Sequence, residues 1–295
     1  MKKTSKIIVS FLLLISLAIG MATPAFAVSE SILIYGAQLS DSQRQEVREA
    51  LGISENEAVE EHDVTGEDYA NFINGNPNAN MYSSALIKME NNGEGLIVNI
   101  VTPNNITKVS SEMYENALLT AGAENVTVDV ASPVAVTGHS ALTGIYKAYD
   151  VEGVELDKER MELANDELVV ATDLAESEGM TQEKVSSLLT EIKQMIAEQN
   201  PVTREEVEQI VSEQLSNQEI NLSEQDRQML IDLFDKMRAL DIDFSGVKDQ
   251  LQNIANSVAD KADELGLDQG FWEKVATFFG ELFGAVGNFF TNLFK

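Results

Sequence analysis

Apolar positions along this chain follow two different periods, and the change from one to the other falls near residue 155. Before it, short β-branched runs bounded by turn residues alternate with helical stretches. The runs at 31–35, 85–89, 96–101 and 126–131 predict strands, and Asn91-Asn92-Gly93 between two of them predicts a hairpin turn. Ser40 with Gln43 three residues later has the spacing of a capping box, which opens a helix that Gly52 closes. Further helices are predicted from Ser110 to a stop at Gly122, and over 141–149. After residue 155 the β pattern disappears. The stretches 157–176, 182–199, 204–215, 224–240 and 247–265 carry apolar residues at helical spacing. Thr181, Thr203 and Ser223 stand at their starts as N-caps, and Gly179, Asn200-Pro201 and Asn217 separate them. The predicted fold is α+β: an α/β sandwich domain over 28–155, then an acidic all-helical domain over 156–265. A C-terminal amphipathic helix over 266–295 follows.

The first residues break this pattern and change the picture of where the chain works. Lys2, Lys3 and Lys6 precede an apolar run from Ile7 to Gly20, and Ala25-Phe26-Ala27 follows Pro24. That is the three-part plan of a secretory signal, so residues 1–27 are expected to be removed and the mature chain to start at Val28. A retained span would need about 20 apolar residues. Cysteine is absent, which rules out disulfides, thiol catalysis and a lipid anchored through cysteine at the cleavage site. The whole chain carries 20 basic and 49 acidic side chains. Without the three signal lysines 17 face 49, a charge of −32. Such a charge works against nucleic acid or anionic lipid as a general partner, because like charge repels both, and no nucleic-acid partner is expected.

A family resemblance rests on several segments: Gly36-Ala37-Gln38-Leu39-Ser40, Asn105-Ile106-Thr107 and the stretch from Met113 to Gly122. To these are added the stretches from Ala131 to Gly138 and from Ala141 to Tyr149. Together they resemble the YpuA-like family of secreted Gram-positive bacterial proteins, a domain family of unknown function. The resemblance is dense before residue 150 and general beyond it. It implies export and the same two-part plan, and it brings no catalytic residues.

Candidate chemistry is sparse. Gly138-His139-Ser140 approaches a nucleophile elbow, but Leu142 stands where the second glycine belongs. The plain reading makes Ser140 a helix N-cap and His139 a turn residue. A cell-envelope hydrolase built on His139 and Ser140 is the alternative function. Asp241, Asp243, Ser245 and Asp249 occupy positions one, three, five and nine of a calcium-type loop, with Gly246 at six. Gln252 replaces the bidentate glutamate at twelve, so Ca2+ binding here is expected to be weak and no other cofactor is implied. In Glu60-Glu61-His62-Asp63, neighbouring side chains of a strand point to opposite faces and cannot share one metal ion.

The last 25 residues are unlike the rest. Seven phenylalanines and the single tryptophan crowd into 271–294, and charges balance at two of each sign. Phe271, Trp272, Val275, Phe279, Leu282, Phe283, Val286, Phe290 and Leu293 are the residues expected to meet a membrane or a partner. All but Trp272 lie on one broad face at about 100° per residue. Three roles fit them: packing into the protein's own core, lying in a membrane interface, or self-association through an exposed apolar patch. The expected function is that of an exported, non-enzymatic envelope or extracellular protein that acts by binding.

Overall fold

The computed structural model describes residues 31–54, 57–91, 93–177, 179–264 and 269–283. The expected signal segment 1–27 lies outside them, as do Val286, Phe290 and Leu293 of the C-terminal face. Among the described residues there are five strands and ten α-helices. The sheet contains β1 (Ser31–Gly36), β2 (Glu60–Val64), β3 (Ser84–Met89), β4 (Leu96–Ile100) and β5 (Val126–Ala131) in the order β2-β1-β3-β5-β4. β1 and β2 are parallel and joined through α1 (Asp41–Ala50). β4 and β5 are parallel and joined through α3 (Ser111–Ala121). β3 runs antiparallel to β1 and β5.

One face of the sheet is a continuous apolar row. In register, Ile32 faces Ile87, Ile87 faces Val128, and Val128 faces Val98, each nearly inaccessible to solvent. α3 and α4 (Ser140–Val151) cover this face. On the opposite face α1 seals Leu33 and Tyr35 with Val47, Leu39 and Ile53. Farther along that face the sheet is polar, and Asn99 donates to Asp129 across β4 and β5 at 2.8 Å.

The hairpin expected at 91–93 does not form. β5 lies between β3 and β4, and the turn folds around its start. The Asn125 side-chain carbonyl accepts from Gly93 N at 2.7 Å, and Val126 N donates to Gly95 O at 2.9 Å. Two causes act together. The α3 crossover makes β4 and β5 parallel neighbours. The inward row Val126, Val128 and Val130, each 0% exposed, also suits a slot with a strand on either side. The Glu60–Val64 stretch is an edge strand, one of the two readings its alternating faces allowed beside a solvated loop. One helix was not foreseen: α2 (Gly66–Ile73) is opened by Thr65 and Asp68, which cap each other reciprocally.

The helical half follows its caps closely. α5 (Lys158–Ala175), α6 (Gln182–Gln199), α7 (Arg204–Asn217) and α8 (Glu224–Ala239) start after Asp157, Thr181, Thr203 and Ser223. Each of these side chains accepts a backbone N–H of the first turn. A short 3-10 turn (Ser245–Val247), α9 (Lys248–Glu264) and α10 (Gln269–Phe283) complete the described chain. α5 and α6 pack directly on α3, and one apolar cluster runs from Ile32 on β1 to Val275 on α10. α3 is therefore enclosed by the sheet on one side and by helices on the other.

Candidate functional site

Enclosure has a chemical consequence for α3. Residues 112–121 are all buried, although Glu112, Glu115, Asn116 and Thr120 are polar. A buried polar group without a partner costs several kcal/mol, and each of these four finds one on a different element. Glu112 accepts from Ser257 Oγ at 2.8 Å and pairs with Lys261 at 2.7 Å, both on α9. Glu115 accepts from the β4 backbone at Val98 N, 2.9 Å, and burial pushes its carboxyl up to about 8. Asn116 donates to Thr190 of α6 at 3.0 Å, and Thr120 donates to Glu167 of α5 at 2.5 Å.

The centre of this network is an ion pair sealed from water. Lys193 Nζ donates to Glu167 Oε1 at 2.6 Å and to the Asn116 carbonyl at 2.6 Å, and the two charged side chains are 0% and 1% exposed. The Phe244 ring lies 5.5 Å from the ammonium. Burial lowers the Lys193 pKa, and the facing carboxylate opposes that shift. Nearby, Arg160 donates to the carbonyls of Leu119 and Thr120, which closes the C-terminal end of α3. Two residues before Lys193, on a different side of α6, Glu191 is also buried. It accepts from Ser187 Oγ at 3.1 Å and from Gln218 Nε2 at 2.5 Å, and burial pushes it up to about 8.

Gln218 connects this interior to the surface. It is 4% exposed and lines a cleft of about 370 Å3 between the start of α6, the α7–α8 turn and the start of α10. Lys184, Lys274, Glu219 and Phe271 also line it. Lys184 Nζ lies 4.9 Å from the centre of the Phe271 ring, and Lys274 pairs with Glu219 at 2.5 Å. Sequence reading missed both the cleft and the ion pair. Their signal was faint: polar residues on helices look like solvated faces until the helices on both sides are in place.

The foreseen residues are placed as follows. The His139 ring meets the hydroxyls of Thr137 at 3.1 Å and Thr172 at 3.3 Å, and no hydrogen bond joins it to Ser140. Burial lowers its pKa. Ser140 is not the helix cap: His139 occupies that position and makes no side-chain cap bond. Gly138, at φ +111°, is needed for packing, since a Cβ there would stand 2.8 Å from Tyr114 Oη and 2.9 Å from Ile106 Cγ2. Several segments of the family resemblance meet at this point. Val136 N donates to Asn105 O at 2.8 Å, and Tyr114 donates to Gly138 O at 2.6 Å.

In the calcium-type loop, Asp243 Oδ1 accepts from Ser245 N at 2.7 Å, while Ile242 and Phe244 turn into the core. Asp241 sits at positive φ and Asp249 in the first turn of α9. Among the described residues no three His, Asp or Glu side chains converge where a metal ion would be held. Glu60 and His62 pair on one side of β2, whereas Glu61 and Asp63 reach Arg48 and Arg44 on the other. At the C-terminus, Phe271, Trp272 and Val275 are 5%, 4% and 1% exposed, so the chain's own core covers this part of the expected membrane or partner face. Phe278 is half-buried against the same cluster, and the side chains of Phe279, Leu282 and Phe283 lie outside the description. No described helix is long and apolar enough to cross a membrane.

Fold and interior together define a mixed protein: a five-stranded α/β sheet layer continued by helices, organised around one enclosed polar helix. The chain belongs to the family described as "Protein of unknown function (DUF1002)", which it matches over residues 35–254. It is also 32% identical over 272 residues to "Uncharacterized protein YpuA" of Bacillus subtilis (strain 168), covering 90% of this chain and 91% of that protein. No solved structure matches it.

Proposed function

We propose that this chain is an exported, non-enzymatic binding protein of the cell envelope, in which the sheet and helices form a rigid scaffold. Its working part is the Phe-rich stretch beyond the anchored start of α10, which enters a membrane interface. The observation that supports this reading is the seating of Phe271, Trp272 and Val275 in the core. It ties the helix down at its first two turns, while the apolar stripe continues in sequence through Phe279, Leu282, Phe283, Val286, Phe290 and Leu293.

The energetics favour an interface over simple charge attraction. Burying one Phe side chain contributes about 1.5–3 kcal/mol, so three inserted rings exceed anything a near-neutral segment gains from anionic lipid. Association is therefore expected to be insensitive to salt, which screens only the electrostatic part. The export half of the proposal is tested by intact mass of the protein recovered from outside the cell. A chain starting at Val28 is expected, and a retained N-terminus contradicts export by signal cleavage.

A further inference from the structure

Residues 185–194 of α6 are all buried, and the two polar faces of this helix are finished differently. The face towards α3 is closed by hydrogen bonds. Lys193 meets Glu167 and the Asn116 carbonyl, while Thr190 donates to Ser186 O at 2.7 Å and accepts from Asn116 Nδ2 at 3.0 Å. The face towards α7 is left open in bonding, although it is shut in packing. Gln194 is buried there one turn on from Glu191, and neither its Oε1 nor its Nε2 has a hydrogen-bond partner.

The same defect stands across the seam. Residues 200–203 alone join α6 to α7, so the two helices run antiparallel as a hairpin. Gln218, just beyond α7, donates to Glu191 at 2.5 Å. Gln214, one turn earlier, therefore faces the turn of α6 that carries Gln194. Oε1 of Gln214 and Oε1 of Gln218 also lack partners. Four of the eleven orphaned side-chain atoms among the described residues thus fall in one seam, and all four are sealed from water. The indole N–H of Trp272, at the root of α10, is orphaned too.

A sealed polar group without a partner is hydrated as soon as the seam parts, so each of these atoms favours separation over closure. Val207, Ile210, Val211 and Leu215 oppose it by burying the apolar side of α7. Both ends of α7 carry a left-handed residue, Asn200 at φ +47° and Glu219 at φ +54°. Glutamate seldom adopts that conformation, and such strain persists only where packing imposes it.

We infer that α7 is a strap built to open: it parts from α6 in the native protein, turning on residues 200–203 and 218–223, while the rest stays folded. Glu219 pairs with Lys274 of α10, so the root of α10 loosens in the same event. The sheet, α3 and α6 remain closed, because the polar groups between them are paired. None of this requires a membrane or a ligand.

Native-state hydrogen exchange of the mature chain, read by mass spectrometry of its fragments, tests the opening directly. Amides of α7 and of the first turns of α10 should exchange together, roughly a hundredfold or more faster than those of β5, α3 and α6. Gln194→Met keeps the length of the side chain and removes both of its orphaned atoms. It should slow α7 exchange by about tenfold and raise the melting temperature. Thr190→Val, on the bonded face of the same helix, should lower the melting temperature and leave α7 exchange unchanged. An α7 or an α10 root as protected as α6 overturns the inference. So does a Gln194→Met variant that melts lower or exchanges α7 at the original rate.

Discussion

Replacing Lys193 by Met removes one half of the Glu167–Lys193 pair and leaves the other half in the interior. Both side chains are essentially inaccessible, at 0% and 1%, and Lys193 also holds the Asn116 carbonyl. Breaking such a pair costs about 3–5 kcal/mol, because the surviving charge keeps its desolvation penalty without its compensation. Against a total stability of about 5–15 kcal/mol this is a large share. At roughly 2–4 °C per kcal/mol for a chain of this size, the melting temperature should fall by about 6–20 °C. Glu167→Gln should cost a similar amount, since Thr120 and Lys193 both direct donors at that carboxylate. The combined Lys193→Met and Glu167→Gln variant should recover part of the loss, as the buried charge is then gone from both sides. Urea unfolding of the four proteins closes the double-mutant cycle. Single variants that each lose under about 1 kcal/mol, or losses that simply add, would refute the argument that the pair acts as a desolvated unit.

Three shorter predictions follow from other parts of the interior. Glu191 and Glu115 are both raised to about 8 by burial, so the folded state holds their protons where the unfolded chain has released them. Stability should therefore fall as pH rises from about 4.5 to about 8, and Glu191→Gln should flatten the slope between pH 6 and 8 by about 1.4 kcal/mol per unit; an unchanged slope contradicts the assignment. Gly138→Ala meets both a positive φ and the Tyr114 hydroxyl, and should cost about 1–3 kcal/mol in a thermal melt; a wild-type melt would show that the loop yields freely. Calcium should bind the 241–249 loop at millimolar concentration or not at all, since Asp243 already serves Ser245 N and Gln252 offers no carboxylate. A micromolar site abolished by Asp243→Asn in calorimetry would reverse that reading.

What could be read from the sequence was local. Ser40, Ser110, Thr181, Thr203 and Ser223 announce helix starts because the capping side chain and the N–H it accepts lie within four residues. Gly122 announces an end because its φ of +85° suits glycine. The sheet order was not legible, since the place of β5 between β3 and β4 is decided by pairing across 30 residues or more. Helix α2 was missed although Thr65 and Asp68 spell a capping box; its short, acidic first turn hid the signal. The polar interior was hidden for a different reason. Glu112, Glu115, Asn116 and Thr120 have the look of a solvated helix face, and they are buried because α5, α6 and α9 close over α3 from the far half of the chain. The anchoring of α10 falls in between: periodicity identified the face, and only packing shows that Phe271, Trp272 and Val275 belong to the core.

That division of the C-terminal stripe decides how the central proposal is best tested. Ending the chain before Phe271 would strip the core of three buried side chains and confuse folding with binding. Ending it after Phe283 keeps that anchor and removes Val286, Phe289, Phe290, Leu293 and Phe294. Chains of 28–295 and 28–283 should be compared by co-sedimentation with neutral and anionic vesicles, at low and high salt, with a melting curve for each. The account predicts that the longer chain partitions to both kinds of vesicle regardless of salt, and that the shorter one melts at the same temperature and stays in solution. A shorter chain that partitions as well as the longer one, or that melts several degrees lower with no change in partition, would contradict it.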